Sequence, residues 1–245
     1  MIKRYGLIGK NIDYSFSRNY FAKKFKKNTL TNCSYENFDI SDINEFKTVI
    51  DKQKSLSGFN VTIPYKEEII PLLDNLSKTA KKIGAVNTIR FTKKGKLKGY
   101  NTDWYGFYHS LQPIAKFHHK RALILGTGGA SKAVKFALEK MKIKYKVVSR
   151  EKTSQTITYD EITADLMQKY TIIINTTPLG TYPNIENKPD LDYSLFSPKH
   201  IAFDLIYNPE ETTFIKLAKE QGAVTKNGYE MLVLQAEKAW KIWNR

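Results

Sequence analysis

Short apolar runs alternate with amphipathic stretches through roughly the first hundred residues. Ile2 to Ile8 predicts a strand that opens onto a loop at Gly9, and Arg18 to Lys27 predicts a helix with Ser17 placed to cap it. Ser34 to Phe38 predicts a strand. Ser41 to Asp51 predicts a helix whose first turn carries Asp42 and Glu45. Leu56 to Ile63 predicts a strand closed by Pro64. Lys66 to Leu73 and Leu76 to Ile83 carry helical spacing. Val86 to Phe91 and Leu97 to Tyr100, joined by a turn containing Gly95, predict a hairpin. A further helix is predicted over Asp103 to Ala115.

The texture changes near residue 120. Arg121-Ala122-Leu123-Ile124-Leu125 is a continuous apolar run, the pattern of a strand buried on both faces of a parallel sheet. A glycine-rich turn and a helix reaching Met141 follow it. Tyr145 to Ser149, Thr171 to Asn175 and Ile201 to Leu205 then predict three more strands. From Gly228 the chain has helical spacing to its end, with Met231, Leu232, Gln235, Ala239 and Ile242 along it. Strands alternating with helices predict a doubly wound α/β unit. The expected fold is therefore α/β with two lobes. Residues 1–103, completed by a helix over 228–245, form an N-terminal α/β lobe for substrate, and 104–227 form a Rossmann-type lobe, with the active site expected in the cleft.

At 245 residues, 41% hydrophobic and 26% charged, the chain has the composition of a globular protein with a substantial core. No apolar run approaches the ~20 residues of a membrane span. The N-terminal residues show no export signal, and the single cysteine, Cys33, excludes an intramolecular disulfide; a cytoplasmic setting is expected. The net charge of +16 attracts anions in general. Its lysines are scattered over different predicted elements, without zinc-finger spacing or the aromatic signature of an RNA-binding sheet, so no nucleic-acid partner is expected.

The segment Gly126-Thr127-Gly128-Gly129-Ala130-Ser131 lies between a buried strand and a helix. Gly126 permits a tight turn, Gly128 lets the backbone approach a pyrophosphate, and the amides at the helix start face the anion. Ser131 stands where a dinucleotide fingerprint prefers Gly or Ala. At the end of the next strand Ser149 and Arg150, with Lys152 close behind, offer a hydroxyl and two cations. That set suits the 2′-phosphate of NADP better than a free ribose diol. Glu151 would be the acid of an NAD site if the strand ran slightly longer.

In the N-terminal half, small polar residues gather at predicted strand ends: Tyr14-Ser15-Phe16-Ser17, Asn60-Val61-Thr62-Ile63-Pro64-Tyr65-Lys66, Gly84-Ala85-Val86-Asn87-Thr88 and Asn101-Thr102-Asp103. With the glycine turn, Asn175-Thr176-Thr177-Pro178-Leu179-Gly180 and the stretch Gly228 to Gln235, their order resembles the shikimate dehydrogenase family from Tyr5 to about Trp243. The resemblance implies reversible, NADPH-dependent reduction of 3-dehydroshikimate to shikimate, a step of aromatic amino-acid (chorismate) biosynthesis, by a monomer or homodimer. By position it makes Lys66 and Asp103 the catalytic pair. Ser15 and Ser17 would bind the substrate carboxylate, and Asn60, Thr62, Asn87 and Gln235 its hydroxyls, with Tyr207 reaching toward it. Leu205, Tyr207 and Gly228 would lie near the nicotinamide, and Thr176 beside the dinucleotide, together with Gly126, Thr127, Gly128, Gly129, Ala130, Ser149 and Arg150.

The residue types suit that chemistry. Ketone reduction needs a hydride and a proton for the developing alkoxide, and a lysine ammonium supplies that proton or stabilises the charge. No metal is required, and His109, His118, His119 and His200 show no ligand-like spacing. The chain departs from the family where His-Ser-x-Ser-Pro is common, reading Tyr14-Ser15-Phe16-Ser17-Arg18, and Ser149-Arg150-Glu151 stands for Asn-Arg-Thr. Two alternatives stay open: a quinate/shikimate dehydrogenase using NAD or both cofactors, and a non-catalytic ligand sensor or nucleic-acid binder on the same fold.

Overall fold

The computed structural model describes residues 2–13, 15–52 and 55–245. Two compact units divide the chain: Met1–Thr102 together with Ala236–Arg245, and Asp103–Gln235.

In the first unit β1 (Lys3–Gly9), α1 (Phe16–Lys27), β2 (Cys33–Asp39), α2 (Glu45–Lys52) and β3 (Leu56–Val61) come first. They are followed by β4 (Asn75–Leu76), α3 (Lys78–Ile83), β5 (Thr88–Phe91) and β6 (Leu97–Tyr100). The sheet runs β2-β1-β3-β5-β6-β4, with β1 parallel to both β2 and β3 and the β5–β6 hairpin antiparallel. β1 lies inside the sheet and is buried on both faces, and its alternating side chains feed two cores. Ile8 joins Ile40, Phe46, Phe59, Val61 and Ile69. Tyr5 and Leu7 face the opposite way, against Phe21, Phe25, Tyr35 and the C-terminal Ala236, Ala239 and Trp243. Trp243 also donates to the Ile89 carbonyl at 2.9 Å. A β-carbon at Gly58 would stand 2.3 Å from the Trp243 ring, so only glycine lets the C-terminal helix seat there.

The second unit contains α4 (Asp103–Leu111), β7 (Arg121–Leu125), α5 (Gly129–Lys140), β8 (Lys144–Val148), β9 (Thr156–Ile157) and α6 (Ala164–Lys169). β10 (Ile172–Asn175), β11 (Ile201–Asp204), α7 (Thr213–Glu220), β12 (Val224–Lys226) and the start of α8 (Tyr229–Trp243) complete it. Its sheet is wholly parallel, ordered β9-β8-β7-β10-β11-β12. Counted from β7, that is the 3-2-1-4-5-6 order of a dinucleotide-binding sheet. Ala122, Ile124, Ile172, Ile174, Ile201 and Phe203 pack one face against Phe107, Leu111, Val134 and Leu138. Leu123, Leu125, Ile173 and Ala202 pack the other against Met167, Phe214, Ile215 and Ala218. The apolar runs in the sequence are thus strands covered on both sides.

Several boundaries differ from the sequence reading. Residues 66–73 form successive turns and one 3₁₀ turn at Ile70–Leu72 rather than a helix. Pro71 has no N–H to give and disfavours the helical region for Ile70. α1 begins at Phe16 with Ser15 at its N-cap, so Ser17 lies inside the helix and is buried. α2 begins at Glu45, whose carboxylate accepts from the Ser41 and Asp42 amides and closes the turn before it. Leu76 is in a strand, and Ser77 caps α3 by accepting from the Ala80 amide. α4 stops at Leu111, two residues before Pro113.

Candidate functional site

The order of the second sheet reverses between β7 and β10, and a parallel sheet opens a crevice at such a switch point, beyond the carboxyl ends of its strands. The glycine turn stands there. Gly126 has φ +106°, its amide donates to the Val148 carbonyl at 2.9 Å, and its added β-carbon would lie 2.9 Å from Thr176 Oγ1. Thr176 bonds back to β7, amide and hydroxyl both donating to the Leu125 carbonyl at 2.9 and 2.7 Å. Thr127 and Gly128 are exposed, and Gly128 caps α5 in an extended conformation. A β-carbon on Gly128 would meet nothing within 4 Å. Internal packing therefore does not require glycine there, and the bare backbone stands open to close approach. Gly129 and Ala130 open the first turn of α5, and their amides have no carbonyl one turn back. The shape and donor set fit a pyrophosphate. Ser131 is accommodated because its buried hydroxyl folds back onto the Gly128 carbonyl at 2.7 Å.

At the end of β8, Ser149 is half-buried and Arg150 exposed. The Glu151 amide lies 3.4 Å from Ser149 Oγ, and Lys152 pairs with Glu161 at 2.7 Å. Arg150 is therefore the cation at this strand end that is not engaged by Glu161.

The ends of β10 and β11 are tied by a buried polar knot. Asn175 Nδ2 donates to Asp204 Oδ1 at 3.1 Å, the Ile206 amide donates to the same oxygen at 3.0 Å, and Thr212 Oγ1 donates to Asp204 Oδ2 at 2.6 Å. Burial of Asp204 pushes its carboxyl up to about 6, with these bonds acting in the opposite direction. The knot presents Leu205 and Tyr207, both half-buried, just beyond β11. Gly228 is brought against them: its amide donates to the Ile206 carbonyl at 2.9 Å, and an added β-carbon would lie 2.0 Å from the Leu205 oxygen. Because that neighbour is backbone, Gly228→Ala is expected to cost about 1–3 kcal/mol by overpacking. The melting temperature should fall by roughly 2–10 °C. An unchanged melting curve would contradict the close approach.

In the first unit, Asn60 and Asn87 are buried within one network. Asn60 Nδ2 donates to the Asn87 carbonyl at 3.2 Å and to Thr88 Oγ1 at 3.3 Å. Asn87 Oδ1 accepts from the Thr102 amide at 2.7 Å and from Thr88 Oγ1 at 3.1 Å, and Asn87 Nδ2 donates to Thr102 Oγ1 at 3.0 Å. Asn101 Nδ2 holds the Ala85 carbonyl at 3.0 Å. Asn60, Asn87, Thr88 and Thr102 thus form one hydrogen-bonded set. Thr62 is half-buried, its amide on the Ile8 carbonyl at 2.9 Å; Lys66 is half-buried, its carbonyl accepting from the Val86 amide at 2.7 Å. Ser15 is half-buried and makes no side-chain capping bond. Arg18 is exposed, and its charge acts on Glu36, which also pairs with Arg4 at 2.6 Å; Tyr14 lies outside the described residues.

Sequence reasoning missed Tyr35. This buried phenol donates to Asn60 Oδ1 at 2.8 Å. Nothing in Cys33-Ser34-Tyr35-Glu36 marks it, since a tyrosine in a strand reads as packing.

Two further candidates belong to the second unit. Asp103 is buried at the start of α4, and Gln235 is buried on α8 with Nε2 donating to the Leu232 carbonyl at 3.0 Å. His119 and His200 serve packing: each accepts a backbone amide at Nδ1 and lies within hydrogen-bond reach of a carbonyl through Nε2. No group of three or more His, Cys, Asp or Glu among the described residues is arranged to hold a metal ion.

Comparison with known proteins bears on both units. Residues 7–89 match the model of the shikimate dehydrogenase substrate binding domain. A shikimate dehydrogenase (NADP(+)) of Caldicellulosiruptor saccharolyticus is 38% identical, over 99% of this chain and 92% of its own. Among solved structures, shikimate 5-dehydrogenase from Thermus thermophilus in complex with NADP(H) and shikimate superposes with a TM-score of 0.87 at 29% identity, covering 99% of this chain and 93% of its own. Quinate dehydrogenase from Corynebacterium glutamicum in complex with NAD gives 0.88 at 27%, with the same coverage. Similarity that spans the glycine turn and the buried asparagines alike, at 38% identity along nearly the full length of both chains, places this chain in the shikimate dehydrogenase family.

Proposed function

We propose that the protein is an NADP-dependent shikimate dehydrogenase that reversibly reduces the ring ketone of 3-dehydroshikimate to the alcohol of shikimate. The observation that carries this reading is that one chain supplies two different recognition surfaces. The second unit has a turn shaped for a pyrophosphate at the switch point of its sheet. The first has a buried network of carboxamides and hydroxyls, neutral groups suited to a polyol.

Bound NADPH supplies the hydride. Gly126, Thr127, Gly128, Gly129 and Ala130 hold the pyrophosphate, Thr176 borders it, and Ser149 with Arg150 takes the 2′-phosphate. Leu205 and Gly228 border the nicotinamide. Ser15 and Ser17 bind the substrate carboxylate; Asn60, Thr62, Asn87, Tyr207 and Gln235 bind its hydroxyls. Lys66 gives the proton to the carbonyl oxygen as negative charge develops there, and Asp103 orients the ammonium. In the oxidative direction the same lysine takes the proton back. Cys33, a free thiol, suits a reducing cytoplasm, and a monomer or homodimer is the expected assembly.

Quinate use is the second reading, favoured by likeness to the quinate dehydrogenase. Initial rates with shikimate or quinate, each with NADP or NAD, separate the two. Shikimate with NADP should dominate, and faster turnover of quinate with NAD would overturn the assignment. Arg150→Ala should raise the KM for NADP roughly 10- to 100-fold, as expected for loss of a charge-assisted contact, and leave the KM for NAD unchanged. Lys152→Ala, already paired with Glu161, should change either by less than about threefold. Equal effects of Arg150→Ala on both cofactors would contradict its assignment to the 2′-phosphate.

A further inference from the structure

Ser15 stands at the head of α1, and Ile12 sets where it stands. β1 ends at Gly9, and the chain turns through Asn11, whose φ of +56° is left-handed, to Ile12, which is buried with Tyr5, Leu7 and Phe21. On neighbouring β2, Asn37 lies opposite Leu7 and Asp39 opposite Gly9, so the two side chains share a face at the end of that strand. Both grip the turn. Asp39 accepts the Asn11 amide on Oδ1 and the Ile12 amide on Oδ2, each at 3.0 Å. Asn37 Nδ2 donates to the Ile12 carbonyl at 2.8 Å, and the Ser15 amide donates to that same carbonyl at 3.0 Å. Ile12 is thus held by β2 at both its N–H and its C=O, and Ser15 hangs from it.

Two features set this clamp apart from ordinary loop packing. Asn37 faces the Ile12 carbonyl although its own Oδ1 is then buried without a partner among the described residues. Ser15 occupies the N-cap of α1, where a serine hydroxyl ordinarily accepts an amide of the first turn, yet it makes no such bond. The turn before the helix is fixed from β2 instead, and the hydroxyl is not used by the helix. Ser17 needs no such hold, because it lies on the buried face of α1 with Phe21 and Phe25.

We propose that Asp39, assisted by Asn37, is a positioning residue that sets Ser15 for the substrate carboxylate, an inference that rests on the shikimate dehydrogenase reading above. Asp39 acts through the Asn11 and Ile12 amides. Its negative charge, on the turn that leads to Ser15, repels an anionic substrate, so its benefit to binding comes from geometry alone.

The test is Asp39→Asn, which keeps the shape but replaces one of two acceptor oxygens by a donor that faces an amide. Shikimate KM should rise roughly tenfold, as for loss of one hydrogen bond, with kcat and the KM for NADP changing less than about threefold. Removal of charge alone has the opposite sign and would lower the KM for an anion. In a Ser15→Ala background no hydroxyl is left to position, and Asp39→Asn should then change shikimate KM by less than about twofold. Melting temperatures accompany every variant. A shikimate KM unchanged or lowered by Asp39→Asn overturns the inference, as does a rise that persists in full without the Ser15 hydroxyl. So does a joint loss of kcat, NADP affinity and melting temperature, which marks a loosened sheet. If the parent protein itself does not turn over shikimate, the functional reading fails and takes the inference with it. An active parent with an indifferent Asp39→Asn overturns the inference alone.

Discussion

Lys66→Ala is expected to lower kcat by about 10²- to 10⁴-fold, the usual contribution of a positioned proton donor. The KM for NADP should stay within about threefold, because lysine supplies uniform binding to neither the pyrophosphate turn nor the 2′-phosphate site. Lys66 sits half-buried on the turn after β3, and its carbonyl is pinned by the Val86 amide at 2.7 Å. The side chain is therefore carried on fixed backbone, and truncation should leave the melting temperature nearly unchanged. Lys66→Arg refines the role. It keeps the positive charge but holds its proton too tightly to deliver it near neutral pH. If proton delivery is the function, Arg stays close to the Ala rate; a recovery to within about tenfold of the parent would mean that charge stabilisation carries the catalysis.

Asp204 should impose a pH dependence on stability with an uncommon sign for a carboxylate. Its folded pKa is raised from 3.8 to about 6 by burial. Between those values the folded protein holds a proton that the unfolded chain has released. The contribution of this group is therefore most favourable below about pH 4, falls as pH rises toward 6, and levels off above. The rise from 3.8 to about 6 corresponds to about 3 kcal/mol. Asp204→Asn removes the titration while filling the same space. Denaturant midpoints of both proteins at intervals from pH 4 to pH 7 should show the parent losing stability relative to the variant across that window. A constant difference would mean that Asp204 is ionised throughout, its three hydrogen bonds outweighing its desolvation.

What was legible in the sequence was set by how strongly periodicity constrains each segment. Ala122 to Leu125 and Ile201 to Phe203 are apolar on both faces, the pattern of a covered parallel strand. The hairpin over β5 and β6 was marked by Gly95 and its flanking lysines. β9 and β12 are two and three residues long at opposite edges of their sheet, too short to carry a period. The turns after Lys66 read as helix because Ile69, Ile70 and Leu73 mimic helical spacing while Pro71 breaks it. The glycines and asparagines stood out because they gather where strands end. The bond from Tyr35 to Asn60 did not, because it exists only once β1 sets β2 and β3 side by side. Lys152 pairs with Glu161, nine residues on, a partner that no spacing in the sequence marks.

The most direct test of the central claim is the initial rate of NADPH formation, followed by its ultraviolet absorbance, when the purified protein meets shikimate and NADP. The account predicts a rate that saturates in both compounds and a product identified as 3-dehydroshikimate. Protein that is folded by its melting curve yet forms no NADPH from shikimate would contradict it.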